Sequence, residues 1–106
     1  MAANYEAVKL EAKRYVSEAC LELPIEKAFI FGSYAKGVAS ELSDVDIAFF
    51  VKDFGNHTRH EIGMELLKLT QNYKAYFEPL VFPSSEIMHD NPFVNEILRT
   101  GQEVIV

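Results

Sequence analysis

Two short, uninterrupted apolar runs limit what this chain can fold into. Residues 28–31 read AFIF and stop at Gly32, and residues 47–51 read IAFFV. Apolar runs of this length, without polar residues in alternate positions, are typical of strands that are buried on both faces. Such strands need other elements packed on each side of their sheet. The two runs therefore predict an α/β or α+β fold, with helices covering a small sheet.

The other elements follow from apolar spacing and from start and stop signals. Apolar residues recur every three or four positions in residues 4–22, which predicts a helix with one buried face. The sequence Thr58-Arg59-His60-Glu61 has the form of a capping box at the start of a second helix. Pro79 interrupts an apolar run and predicts a strand at the edge of the sheet, since proline cannot donate to a ladder. This third strand is predicted over residues 75–82, and a helical turn over residues 84–90. A helix that ends at Gly101 is predicted over residues 91–101, and a last strand over residues 103–106.

Length and charge restrict the class of protein. A chain of 106 residues, 49% of them hydrophobic, predicts a single domain over residues 1–106 with its own core. The net charge of −6 argues against a groove for long nucleic acid, which needs a basic face. No apolar run approaches the ~20 residues that span a bilayer, and the first residues do not resemble a signal peptide. We therefore expect a cytoplasmic location and no membrane contact. Separately, we expect Cys20, the one cysteine of the sequence, to be a small core residue.

A Gly-Ser pair follows the first predicted strand at Gly32 and Ser33. Backbone N–H groups in such a turn are unobstructed, and together with a hydroxyl and the nearby Lys36 they suit a phosphate group. A glycine after a strand is also common in ordinary turns. The pair is therefore compatible with a phosphate site and with a simple chain reversal.

Two acids, Asp44 and Asp46, lie one position apart at the start of the second predicted strand. Residues i and i+2 of a strand project from the same face, so these carboxylates repel each other unless a cation lies between them. Mg²⁺ takes oxygen ligands and commonly joins one or two carboxylates to a substrate phosphate. The alternative is that Asp44 belongs to a turn and Asp46 only begins the strand.

Glu78 is a third acid, placed inside the apolar sequence YFEPL. An unpaired charge is costly there, although an edge strand with one solvated face would also accommodate it. A metal site shared with the first two acids accounts for its position as well. The sequence leaves both explanations open.

Taken together, Gly32, Ser33, Asp44, Asp46 and Glu78 resemble the signature of the nucleotidyltransferase superfamily of the DNA polymerase β type. The sequence GSYAKGVASELSDVDIAFF around them is similar to that family, and the short length resembles its minimal branch. The resemblance covers residues 25–106. Many members carry Asp where this chain has Glu78. The fold that it implies is a small mixed sheet, similar to a polymerase palm, with helices packed on it.

The resemblance also implies a chemistry. It implies two Mg²⁺ ions and ATP as substrate, with AMP moved to a hydroxyl group. Minimal members resemble the antitoxin half of toxin–antitoxin modules, in which a tyrosine of a helical HEPN toxin accepts the AMP. Transfer to a small hydroxylated molecule and a non-catalytic module that only masks a partner stay open, as do the nucleotide base and the oligomeric state. The implied catalytic and metal-binding residues are Asp44, Asp46 and Glu78, and the implied nucleotide-binding residues are Gly32, Ser33, Lys36 and Ser43.

Overall fold

The computed structural model describes residues 5–32 and 44–106 of the chain. Within these ranges the α-helices and β-strands, with two short 3-10 helices between them, confirm the predicted order of elements. In chain order they are α1 (Tyr5–Glu22), β1 (Ile25–Phe31), β2 (Val45–Val51), α2 (Arg59–Leu69), a 3-10 helix (Thr70–Asn72), β3 (Phe77–Pro83), a 3-10 helix (Ser84–Ile87), α3 (Pro92–Thr100) and β4 (Gln102–Glu103).

The strands form one mixed sheet in the order β3-β2-β1-β4. β1 runs antiparallel to β2 and to β4, whereas β2 and β3 are parallel. Two parallel neighbours need a long connection, and α2 carries the chain back so that both strands start at the same end of the sheet. β3 lies at the edge, as its proline predicts, and the predicted mixed α/β class is confirmed.

The two faces of the sheet carry different helices. Side chains alternate along β2, so that Ile47 and Phe49 pack in a cluster with residues of α1 and α2. Ala48 and Phe50 point the other way and pack with Val94 and Ile97 of α3. The same alternation places the side chain of residue 46 on the α3 face of the sheet, which orients the candidate site described below.

Tyr15 links α1 to α2 through the larger cluster. It is fully buried, and its hydroxyl donates a hydrogen bond of 2.7 Å to the carbonyl oxygen of Leu66. Its ring lies 5.4 Å from that of Phe49 and 5.0 Å from that of Phe77, measured between ring centroids. Burial raises the pKa of the Tyr15 hydroxyl, which therefore stays neutral at physiological pH.

We expect Tyr15→Phe to lower the free energy of unfolding by about 1 kcal/mol, because it removes one buried hydrogen bond and keeps the ring contacts. Urea denaturation followed by circular dichroism measures this change. Tyr76→Phe is the control, since Tyr76 is 66% exposed and should change stability by less than about 0.5 kcal/mol. An equal loss in the two variants would contradict the role given to the Tyr15 hydroxyl.

The end of the chain differs from the prediction. β4 covers Gln102–Glu103, whereas the sequence predicts a strand over residues 103–106. Gly101 does end α3, but with a φ of −74° rather than a left-handed one. A Cβ at Gly101 would lie 2.5 Å from the carbonyl oxygen of Ile97 and 3.0 Å from that of Ile30. Glycine is therefore needed there for close backbone packing and not for a positive φ.

The prediction that Cys20 belongs to the core is wrong, because its side chain is exposed. The buried stripe of α1 contains Tyr15, Val16 and Ala19. Successive residues of a helix are rotated by about 100°, so the residue after Ala19 falls at the margin of that stripe.

No helix in the described parts of the chain is both long enough and apolar enough to cross a bilayer. The single domain over residues 1–106 and the cytoplasmic location stay predictions.

Candidate active site

Three neighbouring strands bring the predicted site residues to one end of the sheet. Gly32 follows the last residue of β1, Asp46 is the second residue of β2, and Glu78 is the second residue of β3. In the register of the sheet, Asp46 lies opposite Phe31 on one side and opposite Glu78 on the other. Because residues directly opposite each other project from the same face, the Asp46 and Glu78 side chains both lie on the α3 face.

Asp46 is the most strongly perturbed acid at this end of the sheet. Partial burial raises the pKa of its carboxyl, and the negative charges of Glu78 and Asp44 and a hydrogen bond with the Glu78 side chain raise it further. Glu78 itself is exposed at the sheet edge. Three carboxylates that repel one another form a site of high negative potential, which a cation would stabilise.

Asp44 does not lie on β2, whereas Asp46 does. It precedes β2 and is exposed, whereas the sequence predicts two acids on one strand. The neighbouring Val45 donates its N–H to the carbonyl oxygen of Tyr76 at 2.7 Å, which joins this turn to the start of β3. Among the charges that raise the Asp46 pKa, Glu78 on the adjacent strand ranks above Asp44. The pairing of β2 with β3 therefore contributes more to this acidic cluster than the i, i+2 spacing of Asp44 and Asp46 does.

Gly32 contacts the Asp46 carboxylate from the neighbouring strand. Its φ of +75° is one that glycine adopts readily and other residues avoid. A Cβ built on Gly32 would lie 2.6 Å from Asp46 Oδ2, closer than any real contact allows. Glycine is thus favoured by the positive φ, and a side chain at this position would make the Asp46 carboxylate move. Ser33, Lys36 and Ser43 fall outside the described residues, and their predicted nucleotide contacts stay predictions.

The donor set fits a hard divalent cation in its chemistry. Asp44, Asp46 and Glu78 offer only carboxylate oxygens, which are the ligands that Mg²⁺ prefers. Burial and the charges of Glu78 and Asp44 raise the pKa of Asp46, and a cation would relieve the repulsion between these charges. Over residues 5–32 and 44–106, however, no three His, Cys, Asp or Glu side chains are arranged closely enough to hold a metal ion together. The prediction of two Mg²⁺ ions at these acids stays a prediction.

A cleft of about 450 Å³ opens beside the acids, and Asp44 and Glu78 form part of its wall. Gln71 and Tyr76 also line it, although the sequence analysis gave neither residue a role. The sequence offers one signal for Tyr76, because it precedes Glu78 by two positions and residues at that spacing on a strand project from the same face. Gln71 carries no such signal, since only the fold of the chain between α2 and β3 brings it to the cleft.

Comparison with known proteins adds to this geometry. The family model described as "Polymerase beta, Nucleotidyltransferase" matches residues 16–106. The chain is similar to a curated protein of Methanocaldococcus jannaschii named "Putative protein adenylyltransferase", with 27% identity over 84 residues, covering 76% of this chain and 79% of the relative.

Solved structures share the fold. A crystal structure of "a putative nucleotidyltransferase" from Sulfolobus solfataricus superposes with a TM-score of 0.59 at 22% identity, covering 83% of this chain and 81% of the other. A toxin–antitoxin structure with AMP-PNP superposes with a TM-score of 0.56 at 16% identity, covering 88% of this chain and 72% of the other. A mutant of the toxin–antitoxin MntA-HpeT superposes with a TM-score of 0.56 at 18% identity, covering 88% of this chain and 71% of the other.

The family model covers most of the chain, and a solved nucleotidyltransferase structure shares its fold. The chain therefore belongs to the polymerase beta nucleotidyltransferase family and is a nucleotidyltransferase.

Proposed function

We propose that this protein transfers AMP from ATP to a hydroxyl group on a partner protein. The observation that carries the proposal is the meeting of Gly32, Asp46 and Glu78 at the same end of three adjacent strands, with Asp46 directly opposite Glu78. A glycine turn beside a pair of carboxylates offers binding groups for a triphosphate and for the cation that accompanies it. The M. jannaschii relative, named as a protein adenylyltransferase, supports a protein as the acceptor.

Asp44, Asp46 and Glu78 are the residues that would hold two Mg²⁺ ions. When bound, these ions would offset the charge of the triphosphate and lower the pKa of the acceptor hydroxyl. The chain's own contribution is positioning, as is usual for transfer of phosphorus groups. Asp46 and Glu78 are fixed on strands of one sheet, which holds them more rigidly than loops would.

The remaining roles are those that the resemblance to the nucleotidyltransferase family implies. The backbone at Gly32 and Ser33 binds the β- and γ-phosphates, with help from Lys36 and Ser43. The acceptor oxygen attacks the α-phosphorus, the bond from that phosphorus to the bridging oxygen breaks, and pyrophosphate leaves. Glu78 accepts the proton of the hydroxyl, because it is exposed at the edge of the sheet and can approach an incoming acceptor.

We propose that the acceptor is a tyrosine of a helical HEPN-type toxin and that the protein acts as its antitoxin. Two structures with the same fold are toxin–antitoxin complexes, one of them with AMP-PNP. The net charge of −6 suits a protein partner better than a nucleic-acid chain.

Incubation with α-labelled ATP and Mg²⁺ tests this function. The purified protein is added to a lysate of its native host, or to a partner that co-purifies with it, and protein, RNA and small-molecule products are separated. We expect one labelled protein band that disappears with EDTA, and mass spectrometry should find AMP on a tyrosine. Label on RNA or on a small molecule would overturn the proposed acceptor.

A non-catalytic masking module is the second candidate. The observation that favours it is that no three acids in the described ranges are placed closely enough to surround an ion. It predicts a partner that stays bound and inhibited when ATP is absent and that never acquires label. Partner inhibition that requires ATP would exclude it.

A further inference from the structure

β4 forms one edge of the sheet, and none of the described strands pairs with its outer side. Val104 donates its N–H to the carbonyl oxygen of Ala28 at 2.8 Å, and Gln102 lies opposite Ile30 in the register of the sheet. Residues of an antiparallel strand alternate in the direction of their backbone groups. Glu103 lies between two residues that face β1, so its own N–H and C=O point outward.

The sequence at this edge favours a longer strand than the single chain forms. The three residues that follow β4, VIV, are β-branched, and the sequence predicts a strand over residues 103–106. In the structure β4 covers only Gln102–Glu103. Continued alternation makes Ile105 the next residue whose backbone groups face outward. No proline occurs in residues 102–106, so both outward positions keep an N–H that can donate to another strand.

A groove of about 290 Å³ lies beside this edge, between β4 and α1. Leu10 and Ile105 line it, and both are large apolar side chains that are mostly exposed. Among the described residues, the charged ones that line the groove are two acids and two bases, Glu6, Glu103, Lys9 and Lys13. The charges therefore balance here, although the whole chain carries −6. A second acidic chain can approach this surface with less repulsion than a surface of average charge would cause.

The charges on α1 are arranged so that two copies of the helix complement each other. Glu6 and Lys13 are exposed and seven positions apart, so they lie on one face of α1, with Leu10 between them. A two-fold axis at the edge of the sheet would turn the second α1 antiparallel to the first. Each Glu6 would then face Lys13 of the other copy, and the two Leu10 side chains would lie near the axis.

We propose that two copies of this chain associate through β4, as antiparallel strands related by a two-fold axis at Val104. In that register Glu103 of one copy lies opposite Ile105 of the other, and these outward-facing residues exchange backbone hydrogen bonds. Strand addition needs an unpaired edge on each partner, and a second copy supplies the same edge by symmetry. The complementary charges of α1 also favour a second copy over an unrelated chain. The inference does not depend on the proposed function.

Sedimentation of the purified protein at a series of concentrations tests the inference. We expect a species of twice the 12.0 kDa mass of one chain, which dissociates on dilution. Ile105→Pro removes an outward N–H and should weaken this association at least about tenfold. Leu21→Ala is the control, because Leu21 is an exposed apolar residue of α1 that does not line the groove. A monomer at every concentration, or equal association of the two variants, would overturn the inference.

A charge reversal tests the proposed geometry with substitutions on the exposed surface of α1. Lys13→Glu would place two acids opposite each other and should weaken association about tenfold. The double variant Glu6→Lys, Lys13→Glu restores opposite charges across the axis, so we expect it to recover most of the wild-type affinity. General damage to α1 would not be repaired by a second substitution. Association that is unchanged in Lys13→Glu, or not recovered in the double variant, would overturn the inference.

Discussion

Asp46→Asn is expected to lower the rate of nucleotidyl transfer by at least about 100-fold while the chain stays folded. Loss of the carboxylate removes a ligand for cations that supply several kcal/mol of charge stabilisation, and each 1.36 kcal/mol is a factor of ten in rate. The amide has nearly the same size, so it fits between Gly32 and Glu78 without a clash.

The same variant should be more stable than the wild type at neutral pH. The pKa of Asp46 is raised in the folded chain, so the folded state binds the proton more tightly than the unfolded state. The ionised carboxylate therefore lowers stability above the raised pKa, and this loss disappears at pH values below the unfolded pKa of about 3.9. We expect a gain of at most about 1 kcal/mol at pH 7, since solvent screens a partly exposed carboxylate, and no gain below about pH 4.

Both effects can be measured on one set of samples. Label transfer from ATP gives the rate, and thermal unfolding at pH 4 and pH 7 gives the stability. Asp53→Asn is the matched control, because Asp53 lies beyond the opposite end of β2 and caps the Gly55 N–H at 2.8 Å, which an amide oxygen can also do. Full activity in Asp46→Asn would remove Asp46 from the site, and lower stability at pH 7 would contradict the repulsion.

Gly32→Ala is expected to have the second large effect. The new Cβ would lie 2.6 Å from Asp46 Oδ2, so either the carboxylate or the β1 turn must move. A displacement of about 1 Å at a reacting centre can lower the rate by about 100-fold. The positive φ adds a destabilisation of about 1–3 kcal/mol, because Cβ is strained in that conformation.

Gly55→Ala separates these two causes. Gly55 also has a positive φ, of +61°, but a Cβ there would meet nothing within 4 Å. It should therefore reproduce much of the stability loss with normal transfer activity. Steady-state rates and urea denaturation of the two variants make the comparison. If they retain equal activity, the contact between Gly32 and Asp46 does not matter for catalysis.

The sequence predicts the elements of this fold better than their arrangement. Apolar runs predict β1 and β2, and the capping box at Thr58 and Glu61 is formed by hydrogen bonds of 3.1 and 2.8 Å, because these signals are local. The parallel pairing of β2 with β3 depends on contacts between distant parts of the chain. For the same reason the spacing of Asp44 and Asp46 does not indicate that the charge of Glu78 raises the Asp46 pKa more than the charge of Asp44 does.

The candidate site was predictable only in part. The motif named Gly32, Asp46 and Glu78, which the structure brings together at one end of the sheet. The cleft was not predictable, since Gln71 and Tyr76 meet Asp44 only after the chain has crossed from α2 to β3. The exposure of Cys20 follows from its place at the margin of the buried stripe of α1, which a lone cysteine in a helical pattern does not reveal.

The outer edge of β3 has a consequence for assembly. The carbonyl of Tyr76 points toward β2, because it accepts from Val45. Backbone groups alternate in direction along a strand, so those of Phe77, Pro79, Val81 and Pro83 point away from the sheet. Two of these four residues are prolines, which have no N–H to donate.

Of the four outward-facing positions, only Phe77 and Val81 thus have an N–H that could donate a hydrogen bond to an incoming strand. The sheet is protected there against extension by another chain, and so against edge-to-edge aggregation. A partner that approaches this side must be recognised through side chains and not through strand addition. A helical surface satisfies that requirement, because its own backbone groups are already paired.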